Sequence, residues 1–156
     1  MMGMSLGSAF DPDRYRLETT SITFAGATPD APGEISGTGD PATLFTVTGQ
    51  VIVKLIAVCT DDLTFTADAT IEVGIGGGFE IIATTDLTIE GLTAKEIWHD
   101  TTPDAEIEAL SVMKEYIITD GNDIQLDCAV ADVNSGTIAF YCLWRPLSSD
   151  GLVVAA

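Results

Sequence analysis

The chain has 156 residues, 46% of them apolar, with 24 Asp plus Glu against six Lys plus Arg and a formal charge of -18. That length is enough for one domain with its own core and no need of disulfides, and the apolar content argues against a disordered chain. The acidity excludes nucleic acid and anionic membrane as partners, since both would be repelled.

No run approaches the roughly 20 apolar residues of a spanning helix. The start, "MMGMSLGSAFDPDRYR", lacks the basic-then-apolar pattern of a secretory signal, so synthesis in a cytoplasm is expected. Cys59, Cys128 and Cys142 make an odd count, which fits reduced thiols used as small core residues better than a disulfide framework.

Residues 1–43 are rich in Gly, Pro, Thr and Asp and lack sustained periodicity, and they read as an extended amino-terminal arm. Within it, Arg14, Tyr15 and Arg16 form a compact group suited to anchoring the arm on a neighbour. Residues 44–156 read as a β-domain.

Its first stretch, "FTVTGQVIVKLIAVC", places Phe45, Val47, Val51, Val53, Leu55, Ala57 and Cys59 on one face of a strand. Ile52, Ile56 and Val58 interrupt the opposite face, which implies that this face too is covered, by a second layer or by another subunit.

"TIEVGIGGGFEIIA" has glycines but no helix after them, so it is not a dinucleotide loop. A hairpin closed by Gly76 to Gly78 would set Ile75 opposite Phe79, Val73 opposite Ile81 and Ile71 opposite Ala83. "TAKEIW" reads as a strand that ends at the corner "HDTTPD". There Trp98 would staple the corner to the domain and His99 would lie near a subunit boundary.

Ile107, Leu110 and Met113 offer one possible helical turn. "TDGND" reads as a turn between strands, its Asp and Asn serving the backbone, with calcium as the weaker reading there and at Asp11 and Asp13. In "NDIQLDCAVADVNSGTIAFYCLWRP", a turn at Asn134-Ser135-Gly136 would pair Val130 with Phe140, Cys128 with Cys142 and Leu126 with Trp144.

Assembled chemistry is missing from this list. The single histidine has no nucleophile in an elbow context beside it, and one His with three core-patterned Cys is a poor zinc set. Carboxylate pairs carry little information in so acidic a chain. No catalytic residue, cofactor site or metal site is therefore assigned, and the expected fold is an all-β antiparallel sandwich, jelly-roll-like, of about eight strands.

The blocks "GTGDPATLFTVTGQVIVKLIAVC", "EIWHDTTPDAEIEA" and "FYCLWRPLSSDGLVV" resemble a group of small tailed-bacteriophage virion proteins of the head decoration or cement type, over residues 16–154. The resemblance implies a homotrimeric β-sandwich that binds the major capsid protein on the outside of the head and stabilises it, with no enzymatic activity. Arg14, Tyr15, Arg16, Ile52, Ile56, Trp98 and His99 are the candidate contacts with capsid or neighbouring subunits. The alternative is a carbohydrate- or receptor-binding module of a tail assembly, using Trp98 and the loop acids with calcium.

Overall fold

The computed structural model describes residues 14–76, 78–103 and 106–156. Asp11 and Asp13 lie outside these residues. The chain forms two antiparallel sheets, consistent with a β-sandwich. Among the described residues ten strands follow in order: β1 Arg16–Thr23, β2 Ala42–Thr48, β3 Val51–Phe65, β4 Thr70–Gly74, β5 Glu80–Asp86, β6 Ile97–Trp98, β7 Tyr116–Ile118, β8 Ile124–Ala129, β9 Val133–Pro146 and β10 Leu152–Ala155. The first sheet runs β1-β9-β3-β6, with β7 also paired to β3, and the second runs β10-β2-β8-β4-β5.

The period-2 pattern of the sequence decides which side of each strand is core. Val51, Val53, Leu55, Ala57 and Cys59 on β3 are buried, as are Ile138, Phe140, Cys142 and Trp144 on β9, and they meet Phe45, Val47, Ile71, Val73, Leu126 and Cys128 of the other sheet. The seven residues expected on one inward face of "FTVTGQVIVKLIAVC" are all buried. They belong to two strands, however. Gly49, at φ 62°, turns the chain between β2 and β3 and sends the halves into opposite sheets.

Three registers differ from expectation. Asn134-Ser135-Gly136 is no turn but the first part of β9, where Ser135 pairs with Thr64 and Val133 with Phe65. The crossing lies earlier, at Val130 to Asp132, with Val130 at φ 70°. It places β8 and β9 in different sheets, so Cys128 and Cys142 are not a cross-strand pair but project into the core from opposite layers. All three cysteines are free thiols.

At the Gly76–Gly78 loop, Ile75 N–H donates to Phe79 O at 3.1 Å as the hairpin requires. Irregularities then shift Val73 opposite Ile82 and Ile71 opposite Thr85. Of the possible helical turn there remains a three-residue 3-10 segment at Leu110–Val112. Met113 is buried, but Ile107 and Leu110 are exposed.

The segment read as an arm contains part of the sandwich. β1 pairs with β9 over eight consecutive residues, from Arg16 opposite Trp144 to Thr23 opposite Thr137. Residues 24–41 then fold back, with Phe24 in the core and Ala25 N–H donating to Pro32 O. Where β2 ends, Asp40 takes over from it: both carboxylate oxygens accept the N–H of Cys128, at 3.0 and 3.1 Å.

Candidate functional site

The five strands of the first sheet present an outer face whose rows can be read from register. Leu17 is level with Leu143 and Leu143 with Lys54; Thr19 with Tyr141 and Tyr141 with Ile56; Ser21 with Ala139 and Ala139 with Val58. Ile52 lies between Arg145 and Ile117, and Val58 is also level with Ile97. Their strand neighbours point into the core, so these positions point outward. None of them is Asp or Glu, so these rows form an acid-free patch; the next row, Thr23 level with Thr137 and Thr137 with Asp61, brings the first carboxylate at its end. In a chain with 24 acidic residues, a patch of apolar and hydroxyl side chains with Lys54 and Arg145 as its charges is the largest departure from the overall composition.

The outer face of the second sheet is the contrast. Glu72 is level with Asp127, Asp86 with Thr70 and Glu80 with Gly74, so four carboxylates stand on its outward positions. Thr84 donates to Glu72 and, at 3.2 Å, to Glu80. Burial, followed by a hydrogen bond with Asp127, pushes the Asp40 carboxyl up to about 7.

The two faces meet along one open side of the sandwich, where β5 ends one sheet and β6 and β7 flank the other. A trough of about 360 Å³ runs there, lined by Glu80, Ile81, Ala83, His99, Asp100, Val112, Lys114 and Tyr116. It continues past Tyr116 to Ile75, Phe79 and Ile117. Phe79 and Ile117 are 69% and 66% exposed, a large apolar area for the rim of an acidic protein.

The floor of this side is tied by Thr85. Its hydroxyl accepts the indole N–H of Trp98 at 2.9 Å and lies 3.1 Å from the carbonyl oxygens of Ala83 and Asp100, to one of which it donates. Thr85 is buried, so its single hydroxyl joins β5 of one sheet to β6 of the other. Trp98 is fully buried and thus acts inside the sandwich; it offers no surface to a partner or to a sugar ring.

His99 sits between two carboxylates, Nδ1 3.5 Å from Asp100 Oδ2 and Nε2 3.5 Å from Glu108 Oε2. Burial works against the Asp100 carboxylate, but hydrogen bonds from the Thr102 N–H and hydroxyl, with the charge of His99, hold its pKa below the ordinary value. With an acid at each ring nitrogen the imidazole clips the 106–113 segment to the trough. Neither nitrogen is turned toward a nucleophile, and no Ser or Cys lines the trough among the described residues. Burial also pushes Cys59 to about 11 and Cys142 to about 12, so these are thiols at neutral pH, poor nucleophiles and poor metal ligands.

The remaining sequence candidates separate. Ile52 and Ile56 are half-buried on the acid-free face. Tyr15 and Arg16 pack on their own chain: the Arg16 guanidinium lies 4.9 Å from the Trp144 ring centroid, and that of Arg145 lies 5.6 Å from Tyr15. Arg14 is exposed just before β1. At "TDGND", Asp123 accepts the N–H of Val47 at 2.9 Å and Asp120 that of Gly49 at 2.8 Å, so both carboxylates serve the backbone of the adjoining turn.

Sequence reasoning missed Thr85 and the β1 and β9 parts of the face. The signal for the latter was present: Ala139, Tyr141, Leu143 and Arg145 alternate with core residues and include no acid. Comparison with protein-family models, with curated proteins and with solved structures finds no match to this chain.

Proposed function

We propose that the chain is a structural bacteriophage virion protein, a capsid decoration or cement protein that assembles as a trimer and binds the major capsid protein on the outside of the head. The observation that carries this reading is the segregation of charge. One face of the sandwich carries rows without carboxylates, with Leu17 and Tyr141 exposed and Ile56 and Leu143 half-buried, and reaches an acid only at Asp61, while the opposite face bears Glu72, Glu80, Asp86 and Asp127. A protein crowded on a particle surface needs one face to adhere and one that keeps particles apart, and a dense negative surface supplies that repulsion.

The reading involves no catalysis and no cofactor. It places the chain on the virion exterior after synthesis in a bacterial cytoplasm. The finer description of the fold as jelly-roll-like belongs to the same proposal, and its support is the repeated crossing of the chain between the two sheets, as at β2 to β3 and β8 to β9. The carbohydrate-binding alternative gains nothing from the site, because the Trp98 ring is enclosed and the acids of "TDGND" are engaged with backbone N–H groups.

Immunogold labelling of intact particles from the source phage tests the reading. Label over the head surface is expected. Label confined to the tail would favour the receptor-binding alternative, and particles without label would overturn the virion assignment.

A further inference from the structure

We propose that copies of this chain associate head-to-tail, the acid-free face of one copy seating on the β5–β7 trough of the next. This deepens the trimer reading above and rests on it for the number of copies. Three observations lead to it.

The first is that the chain carries two unlike apolar surfaces rather than one. Each needs a cover, and a single isologous contact would cover only one of them. The second is charge. The face contributes Lys54, whereas the trough is bordered by Glu80, Asp100 and Glu108 with Lys114 as the opposing charge. Face against face would set Lys54 and Arg145 of one copy near the same cations of the other, and trough against trough would gather six carboxylates. Face against trough pairs opposite signs.

The third is geometry. The face is the broad side of the first sheet and the trough its adjoining edge, the two meeting at Ile117, so they are neighbouring rather than opposite surfaces. Complementary patches on adjacent sides make a wedge, and wedges close into a ring, whereas patches on opposite sides would propagate a filament. The number three comes from the trimer reading. With about 4.8 Å between strands and about 3.3 Å per residue, eight residues each of β1, β9 and β3 with the short β6 and β7 cover roughly 460 Å² per copy, or about 900 Å² per contact, just under the size at which specific interfaces begin.

Two variants of the full chain test this. Ile56→Asp places a carboxylate in the middle of the face, and Phe79→Asp places one at the trough rim. Circular dichroism confirms folding, and sedimentation velocity reads the species present. Wild type is expected to sediment as a closed trimer and each variant as a monomer. The equimolar mixture is expected to give dimers, because one copy keeps its trough and the other its face.

If Phe79→Asp still self-associates while Ile56→Asp does not, the contact is face-to-face and the inference is overturned. A monomeric wild type at tens of micromolar overturns it as well, and the decoration reading survives if that monomer binds particles. A trimer that fails to bind or label particles has the reverse meaning: the ring stands and the decoration reading falls.

Discussion

Thr85 shows how much of this sandwich depends on single polar atoms. Its hydroxyl is the partner of the buried Trp98 N–H and bonds to a carbonyl at the seam of two sheets. Thr85→Val keeps the shape but leaves the indole N–H unsatisfied, and the expected loss is about 1–3 kcal/mol in urea unfolding. Asp40 acts in the opposite sense. Burial and Asp127 raise its folded pKa to about 7 from an ordinary 3.8, so the stability tied to its proton is fully present below about pH 4 and is lost as pH rises through about 7. Asp40→Asn keeps an acceptor for Cys128 N–H without titrating. Its melting temperature should match wild type near pH 4 and exceed it by a growing margin up to pH 8; an equal pH profile for both proteins would refute the raised pKa of Asp40. Neither residue was legible in the sequence. Thr85 is one of many threonines and Asp40 one of many acids, and only the fold brings their partners from distant strands.

At the level of strands, alternation was legible and connection was not. The inward residues of β3 and β9 follow from period-2 patterning, because a one-residue slip would expose the whole set. Which strands share a sheet depends on corners, and beside the glycine corner at Gly49 two corners use residues with weak turn signals, Val130 at φ 70° and Lys95 at φ 82°, while the strong signal at Asn134-Ser135-Gly136 lies within a strand. Gly136 explains that exception. It has φ 105°, and a Cβ there would stand 2.5 Å from Asp62 O and 2.6 Å from a Leu63 methyl, where β9 passes under the irregular end of β3. The glycine marks a close approach of two strands rather than a reversal. Gly136→Ala is expected to cost about 1–3 kcal/mol or more in the same unfolding assay, whereas a glycine in an open reversal such as Gly121, with nothing near its Cβ position, should cost less on substitution.

Across the whole molecule the governing quantity is the charge of -18 and its uneven placement. Composition announced the acidity, but the acid-free face became visible only once β1, β9 and β3 were known to lie side by side. Two like copies repel through all of their charge, yet the proposed contact sets apolar rows that hold little of it against the trough of the next copy. Long-range repulsion is screened over about 30 Å at 0.01 M salt and about 10 Å at 0.1 M, while apolar contact across the face is not weakened by salt. Self-association through this face is therefore expected to tighten as salt rises from about 0.01 to 0.1 M, read as a falling dissociation constant in sedimentation equilibrium. The contribution of Lys54 has the opposite dependence, since an exposed pair with a trough carboxylate weakens with salt. Lys54→Met should thus cost affinity mainly at low salt and little at high salt. If wild-type association instead weakened steadily over the whole range, charge pairs and not the apolar rows of Ile56, Tyr141 and Leu143 would be holding the copies together.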